Sequence, residues 1–317
     1  MSTSDDVFDT VMRAMGPADP EQERIDALVR DRVKAWDQLD REHFPPLHWA
    51  IPGLIPEGYG LLVAPPKAGK SWMVLDFAIA CAAGGRALDA VHAHARPVLY
   101  LALEDGDRRL QDRLRVLSEG RGIQPTPNLL RVLNADALEA DVLISEFIRE
   151  HGHERPLIIL DTIGKVMPGK TGGENEYQRD YRFGSKLKSY VAAMPGGTLL
   201  GVHHTNKGQH DDFQNAVSGT QGIAGAADFA AVIRRSRGED SAILSLTGRD
   251  VREAEYAMKF DAGLWTLDGD ELDAARERAA EVRAAEKDDV ARSRLGDRTT
   301  EIIAHVNAKA AGAGSAP

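Results

Sequence analysis

Cysteine is all but missing. Cys81 is the single one in 317 residues, which excludes a disulfide framework and a thiolate zinc cluster and leaves it as a small core residue inside an apolar run. Long hydrophobic runs are missing too: the stretch Trp72 to Ala83 is broken by Asp76 and falls short of the ~20 residues that a membrane span requires. The opening decapeptide MSTSDDVFDT lacks the basic-then-apolar order of a secretory signal, so the expected location is cytoplasmic, with no membrane partner. Base is in deficit, with 39 Lys and Arg against 49 Asp and Glu and a net charge of −10. Taken whole, that figure argues against a nucleic-acid partner. Divided along the chain it does not: residues 1–42 hold 11 acids against 6 bases and residues 269–317 hold 10 against 8, leaving 28 against 25 between them. A near-neutral core can still present a local basic groove, and binding to nucleic acid is expected to depend on an assembly that concentrates it.

What is present is the texture of a large α/β domain with extensions. Over 1–42 the spacing of Ile25, Leu28, Val29, Val33, Trp36 and Leu39 predicts a charged amphipathic helix, an acidic helical arm. From residue 43 to 268, short runs rich in Val, Ile and Leu alternate with amphipathic segments. Strands are expected near 60–64, 97–102, 129–133, 156–161 and 198–203, and helices near 70–83, 106–118, 138–150 and 176–194. This is the pattern of βαβ units around a mainly parallel sheet flanked by helices. After residue 226, FAAVIRR, SAILSLTG and EYAMKFD read as closely spaced strands, an antiparallel extension of the same sheet. Residues 269–317 form a helical, partly disordered tail, with helices near 270–288 and 298–309.

A literal search for the phosphate-binding pattern G-x-x-x-x-G-K-[ST] finds Gly164 to Thr171, and its context is wrong. The motif works by placing a glycine turn between a buried strand and the first turn of a helix, so that backbone N–H groups converge on phosphate oxygens. After Thr171 come Gly172, Gly173 and Glu174, so no helix is expected where phosphates would lie. The segment Ala64-Pro65-Pro66-Lys67-Ala68-Gly69-Lys70-Ser71 misses only the first glycine, yet it follows the strand GLLVA and opens an apolar helix at Trp72. Residues 64–72 are therefore the expected ATP-binding loop. Gly69 admits the phosphates to the backbone, Lys70 faces the β- and γ-phosphates, and Ser71 ligates Mg²⁺.

Three further strands are expected to end polar at the same sheet edge. PVLYLAL runs into Glu104-Asp105, read as lying beside the phosphate loop, where a carboxylate can orient or deprotonate water. PLIILD ends in Asp161, suited to holding Mg²⁺ through water, and TLLGV ends in His203-His204, able to meet a γ-phosphate. Strands also end in turn acids for purely local reasons, but the coincidence of three points to a nucleotide hydrolase.

With these residues in view, GLLVAPPKAGKSWMVLDFA, VLYLALEDGDRRLQDRL, LIILDTIG, LLGVHHTNKG and GIAGAADFAAVIRR resemble the RepA-like branch of the RecA-fold, AAA-family ATPases over about residues 45–268. That branch includes plasmid replicative helicases and phage ATPases. The resemblance implies a RecA-like core, Lys70 and Ser71 on phosphate and Mg²⁺, Glu104 as catalytic base, Asp161 as Walker B acid and His204 as γ-phosphate sensor. It also implies a homo-oligomeric ring, hexameric as a rule, with a basic residue reaching the neighbour's ATP. Arg249 is the local candidate, ahead of Arg252.

Two loops expected to emerge from the strand tips interleave cations with aromatics, as single-stranded DNA binding requires. Lys165, Lys170, Arg179, Arg182, Tyr177 and Tyr181 lie in the first, and Lys207, His210 and Phe213 in the second; Glu174, Glu176, Asp180, Asp211 and Asp212 dilute both. The reading is a Mg²⁺-dependent, ring-forming ATPase acting on single-stranded DNA. Its rival is an ATP-gated scaffold or loader that uses the same site as a switch without translocating.

Overall fold

The computed structural model describes residues 20–204, 221–235, 238–289 and 291–292. The chain separates into two units, Met1–Pro46 and Leu47–Pro317. In the first, helix α1 (Pro20–Arg32) is followed by a short α2 (Trp36–Asp40), with Ala35 extended between them. The expected arm is thus two helices, and Ile25, Leu28, Val29, Val33, Trp36 and Leu39 are all exposed.

The second unit is built on a nine-stranded sheet. Its strands are β3 (Gly58–Ala64), β6 (Val98–Ala102), β7 (Leu129–Val132), β8 (Leu157–Asp161), β9 (Thr198–His204), β10 (Phe229–Arg234), β11 (Ser241–Gly248), β12 (Ala254–Asp261) and β13 (Leu264–Leu267), in the order β13-β12-β11-β10-β3-β9-β8-β6-β7. From β7 to β10 every pairing is parallel, and from β10 to β13 every pairing is antiparallel. β3 and β8 are buried along their whole length, the expected state of parallel strands covered on both faces.

Strand alternation divides the core in two. Leu62, Leu157 and Ile159 face one layer, packed with Met73 and Phe77 of α3 (Lys70–Ala83) and Leu110 and Leu117 of α4 (Asp107–Arg121). Leu61, Val63, Ile158 and Leu160 face the other, with Ile144 and Phe147 of α5 (Ala137–His151), Phe183 and Leu187 of α6 (Glu176–Ala192) and Ile223 of α7 (Gln221–Ala226). Each such fully buried side chain contributes about 1.5–3 kcal/mol relative to exposure.

Helix α3 is buried nearly all round, because the sheet covers one side and short hairpins cover the other. Those hairpins, β1 (Trp49–Ile51) with β2 (Ile55–Pro56) and β4 (Arg86–Ala87) with β5 (Val91–His92), are too short to show any period in the sequence. Asp76, which broke the apolar run, is paired inside this layer with Arg121 Nε at 2.6 Å and with the Leu88 N–H at 2.7 Å. A final helix, α8 (272–289), buries Ala275 and Ala279 and pairs Arg283 with Glu255 on β12 at 3.0 Å. The expected helix over 298–309 and the terminal tail lie outside the described residues. Among the described residues no helix is long and apolar enough to cross a membrane.

Candidate functional site: a phosphate loop against three strand tips

The loop 65–69 joins β3 to α3, and Gly69, the residue before the helix, takes φ 95°, a left-handed conformation that favours glycine. Lys70 is buried, and its ammonium donates to the carbonyls of Ala64 at 2.8 Å and Pro65 at 2.9 Å. It also lies 2.9 Å from His204 Nδ1. Burial pushes its pKa down to about 8, with Asp161 and Glu104 pulling the other way. Because the ammonium is the donor, Nδ1 of His204 accepts, and the proton of a neutral ring sits on Nε2, which faces Glu104 Oε2 at 3.9 Å. Burial and the Lys70 charge both lower the pKa of His204 and so favour that neutral ring.

Sheet order sets the sequence of groups along the edge. Ala64 pairs with His204, Val202 with Asp161, and Asp161 with Ala102. Glu104 therefore does not sit beside the phosphate-loop strand as the sequence reading had it. β8 and β9 intervene, because a parallel sheet need not place consecutive strands side by side. Glu104 lies just past the end of β6 and reaches back: Thr162 Oγ1 donates to its Oε1 at 3.1 Å. Asp161 is buried and takes a hydrogen bond from the Tyr100 hydroxyl at 2.8 Å. Burial raises its pKa, and Ser71 and Tyr100 oppose the rise. Asp105, next to Glu104, is clamped by Arg113 at 2.5 Å and Arg109 at 3.3 Å. These two arginines of α4 thus hold the strand-tip turn in place.

Sequence reasoning missed Tyr100, Thr162 and Trp265. The first two lie on strand-tip segments already singled out, where only their neighbours were weighed. Trp265 comes from β13, distant in sequence, and its Nε1–H donates to the Gly69 carbonyl at 3.0 Å. Trp72 lies under the Arg113 guanidinium, 5.4 Å from ring centroid to Cζ, and against Gly263.

The remaining candidates are not drawn together. Arg249 follows β11, whose end pairs with Phe229 and through it with Gly60, at the sheet edge opposite the phosphate loop. Its guanidinium donates to the Gly225 carbonyl at 3.0 Å. Lys170 pairs with Glu176 at 3.2 Å, and Arg179 and Arg182, which lie on α6 rather than in the expected loop, pair with Asp180 at 2.7 Å and Glu174 at 2.9 Å, so these three cations are locally neutralised. Lys165 is exposed, and Tyr177 and Tyr181 are exposed and stacked, 6.3 Å apart. Lys207, His210 and Phe213 lie outside the described residues. In the literal match at 164–171, the next helix starts only at Glu176, behind an Asn175 cap, so no helix N-terminus faces that loop.

A mainly parallel sheet with a lysine–serine loop opening its central helix, faced by polar ends of the adjacent strands, is the architecture of a P-loop ATPase. The chain belongs to the family described as AAA domain, whose model matches residues 27–210. Among solved structures, one described as an ATPase domain shares the fold, with a TM-score of 0.51 and 12% identity over 66% of this chain and 84% of that one. A DnaB-like replicative helicase, solved to show its interactions with primase, aligns with a TM-score of 0.48 and 13% identity over 66% of this chain and 57% of that one.

Proposed function

We propose that this chain hydrolyses ATP with Mg²⁺ at the 64–72 loop and assembles into a ring that acts on single-stranded DNA. The observation that carries the nucleotide reading is the convergence of Lys70, Ser71, Asp161, His204 and Glu104 from four elements onto one sheet edge. Ser71 and Asp161 offer the hard oxygen donors that Mg²⁺ prefers, and Ser71 lies near enough to lower the Asp161 pKa. When bound there, Mg²⁺ would offset the charge on the β- and γ-phosphates. Lys70, now folded back on the loop carbonyls, exchanges them for phosphate oxygens. Glu104, oriented by Thr162, holds or deprotonates the attacking water. Neutral His204 lies between Lys70 and Glu104, so a change at the γ-phosphate reaches the chain after residue 204. Arg249, at the sheet edge opposite its own site, would give up its Gly225 carbonyl to serve a neighbour's site in a ring.

The rival, a nucleotide switch that does not move along DNA, draws support from the neutralised cations Lys170, Arg179 and Arg182. Measuring ATP turnover and solution mass, each with and without single-stranded DNA, separates the two. DNA-stimulated turnover, together with ring-sized particles whose DNA binding weakens as salt rises, supports the first. Turnover indifferent to DNA with no binding at low salt supports the switch, and no turnover under any condition rejects ATP hydrolysis itself.

A further inference from the structure

We infer that Trp265 is a positioning residue of the nucleotide site: from the β12–β13 hairpin it sets the orientation of the Gly69–Lys70 peptide and thereby aims a phosphate-loop N–H. This rests on the nucleotide-binding reading of the 64–72 loop.

The Gly69 carbonyl accepts two hydrogen bonds, from the Met73 N–H at 3.1 Å, which opens α3, and from the Trp265 indole at 3.0 Å. A peptide unit is planar and trans, with its C=O and N–H pointing in opposite directions. Pinning the Gly69 oxygen from two sides therefore fixes the direction of the Lys70 N–H, one of the first-turn donors of α3 that have no partner within the helix. The indole also fills the space beside Gly69: a Cβ there would come within 2.9 Å of Trp265 Cζ2.

The hairpin that carries Trp265 is itself anchored. Its two-residue turn, Ala262 and Gly263, has φ 48° and 94°, the positive pair that a tight hairpin uses. Gly263 lies against the Trp72 ring, so the hairpin meets the phosphate helix one turn beyond the loop as well. Arg121 donates to the Trp265 carbonyl and binds Asp76 on α3. Arg235 stacks over Phe260 at 4.2 Å and Trp265 at 5.7 Å, closing the far side. The indole thus has little freedom to follow the loop, and the loop must conform to the indole.

The test uses fluorescent mant-ADP binding and thermal unfolding on the full chain, well below its melting temperature. Trp265→Phe keeps a ring and removes the N–H; replacing Trp265 by its 3-benzothienylalanine isostere removes the N–H alone. Losing one hydrogen bond predicts mant-ADP and competing inorganic pyrophosphate both weakened by about three- to tenfold. Phe260→Leu disturbs the same hairpin but spares the bond, so it is expected to lower the melting temperature and leave affinity unchanged. Wild-type affinity in the isostere variant, or an affinity loss in Phe260→Leu as large as that in Trp265→Phe, overturns the inference and leaves the nucleotide site standing. A wild-type chain that takes up neither ligand overturns both.

Discussion

The Tyr100 hydroxyl donates to Asp161 Oδ2 at 2.8 Å from the neighbouring strand, so the buried carboxylate is oriented by a side chain of β6. Ser71 acts with Tyr100 to oppose the rise that burial gives the Asp161 pKa. Tyr100→Phe removes the hydroxyl. The expected result is a several-fold rise in the Mg²⁺ concentration giving half-maximal turnover, with a stability loss of about 1 kcal/mol by urea unfolding. An unchanged Mg²⁺ requirement would show that Asp161 is not the metal-side acid.

The choice between the two lysine loops is open to direct measurement. Lys70→Ala is expected to abolish ATP turnover, and Lys170→Ala, which only breaks an exposed pair with Glu176, is expected to retain most of it. The reverse outcome would transfer the site to the 164–171 segment.

Glu104 is the assigned base. Glu104→Gln keeps the hydrogen bond from Thr162 but cannot accept a proton, so ATP binding should persist while turnover falls by about two to four orders of magnitude. Retained turnover in a chain that still binds mant-ATP would dismiss the assignment.

His203 supplies a pH test. Burial, reinforced by His204 and Lys70 and opposed by Asp180, pushes its pKa from 6.5 down to about 4. Between those two values the unfolded chain binds a proton that the folded chain refuses, so this contribution to stability is present above pH 6.5 and lost as pH falls toward 4. Melting temperatures of wild type and His203→Gln across that window should converge, or cross, on the acid side. A constant difference would mean that His203 titrates normally in the fold.

The Asp76–Arg121 pair ties α3 to α4 with both side chains almost wholly buried. Arg121→Met leaves Asp76 without its counter-charge and should cost about 3–5 kcal/mol in urea unfolding, whereas adding Asp76→Leu should recover much of it. A single variant as stable as wild type would show that Asp76 is readily protonated or hydrated in the fold.

Much of this protein was legible along the chain. α3 spans the expected 70–83, and the five parallel strands read from apolar runs lie within a residue or two of their expected ends. Buried parallel strands and a buried central helix leave continuous apolar segments, and their polar ends mark the candidate site. The hairpins around α3 were illegible because strands of two or three residues carry no measurable period, and the four residues of β13 were left unread. Helical spacing shows which residues of α4 share a face, but not that Arg109 and Arg113 meet Asp105, which lies beyond the helix.

The sequence by itself determined the fold class, the lysine–serine loop between β3 and α3, and the acids and histidines at the strand tips, since those depend on local order: apolar strand, glycine turn, helix. Only the tertiary structure decided that β9 and β8 separate Glu104 from that loop, that Tyr100 and Thr162 orient the acids, that local carboxylates neutralise Lys170, Arg179 and Arg182, and that Trp265 holds Gly69. Strand order and side-chain pairing arise from contacts between residues far apart in the chain, and no local pattern encodes which distant group will fill a given space.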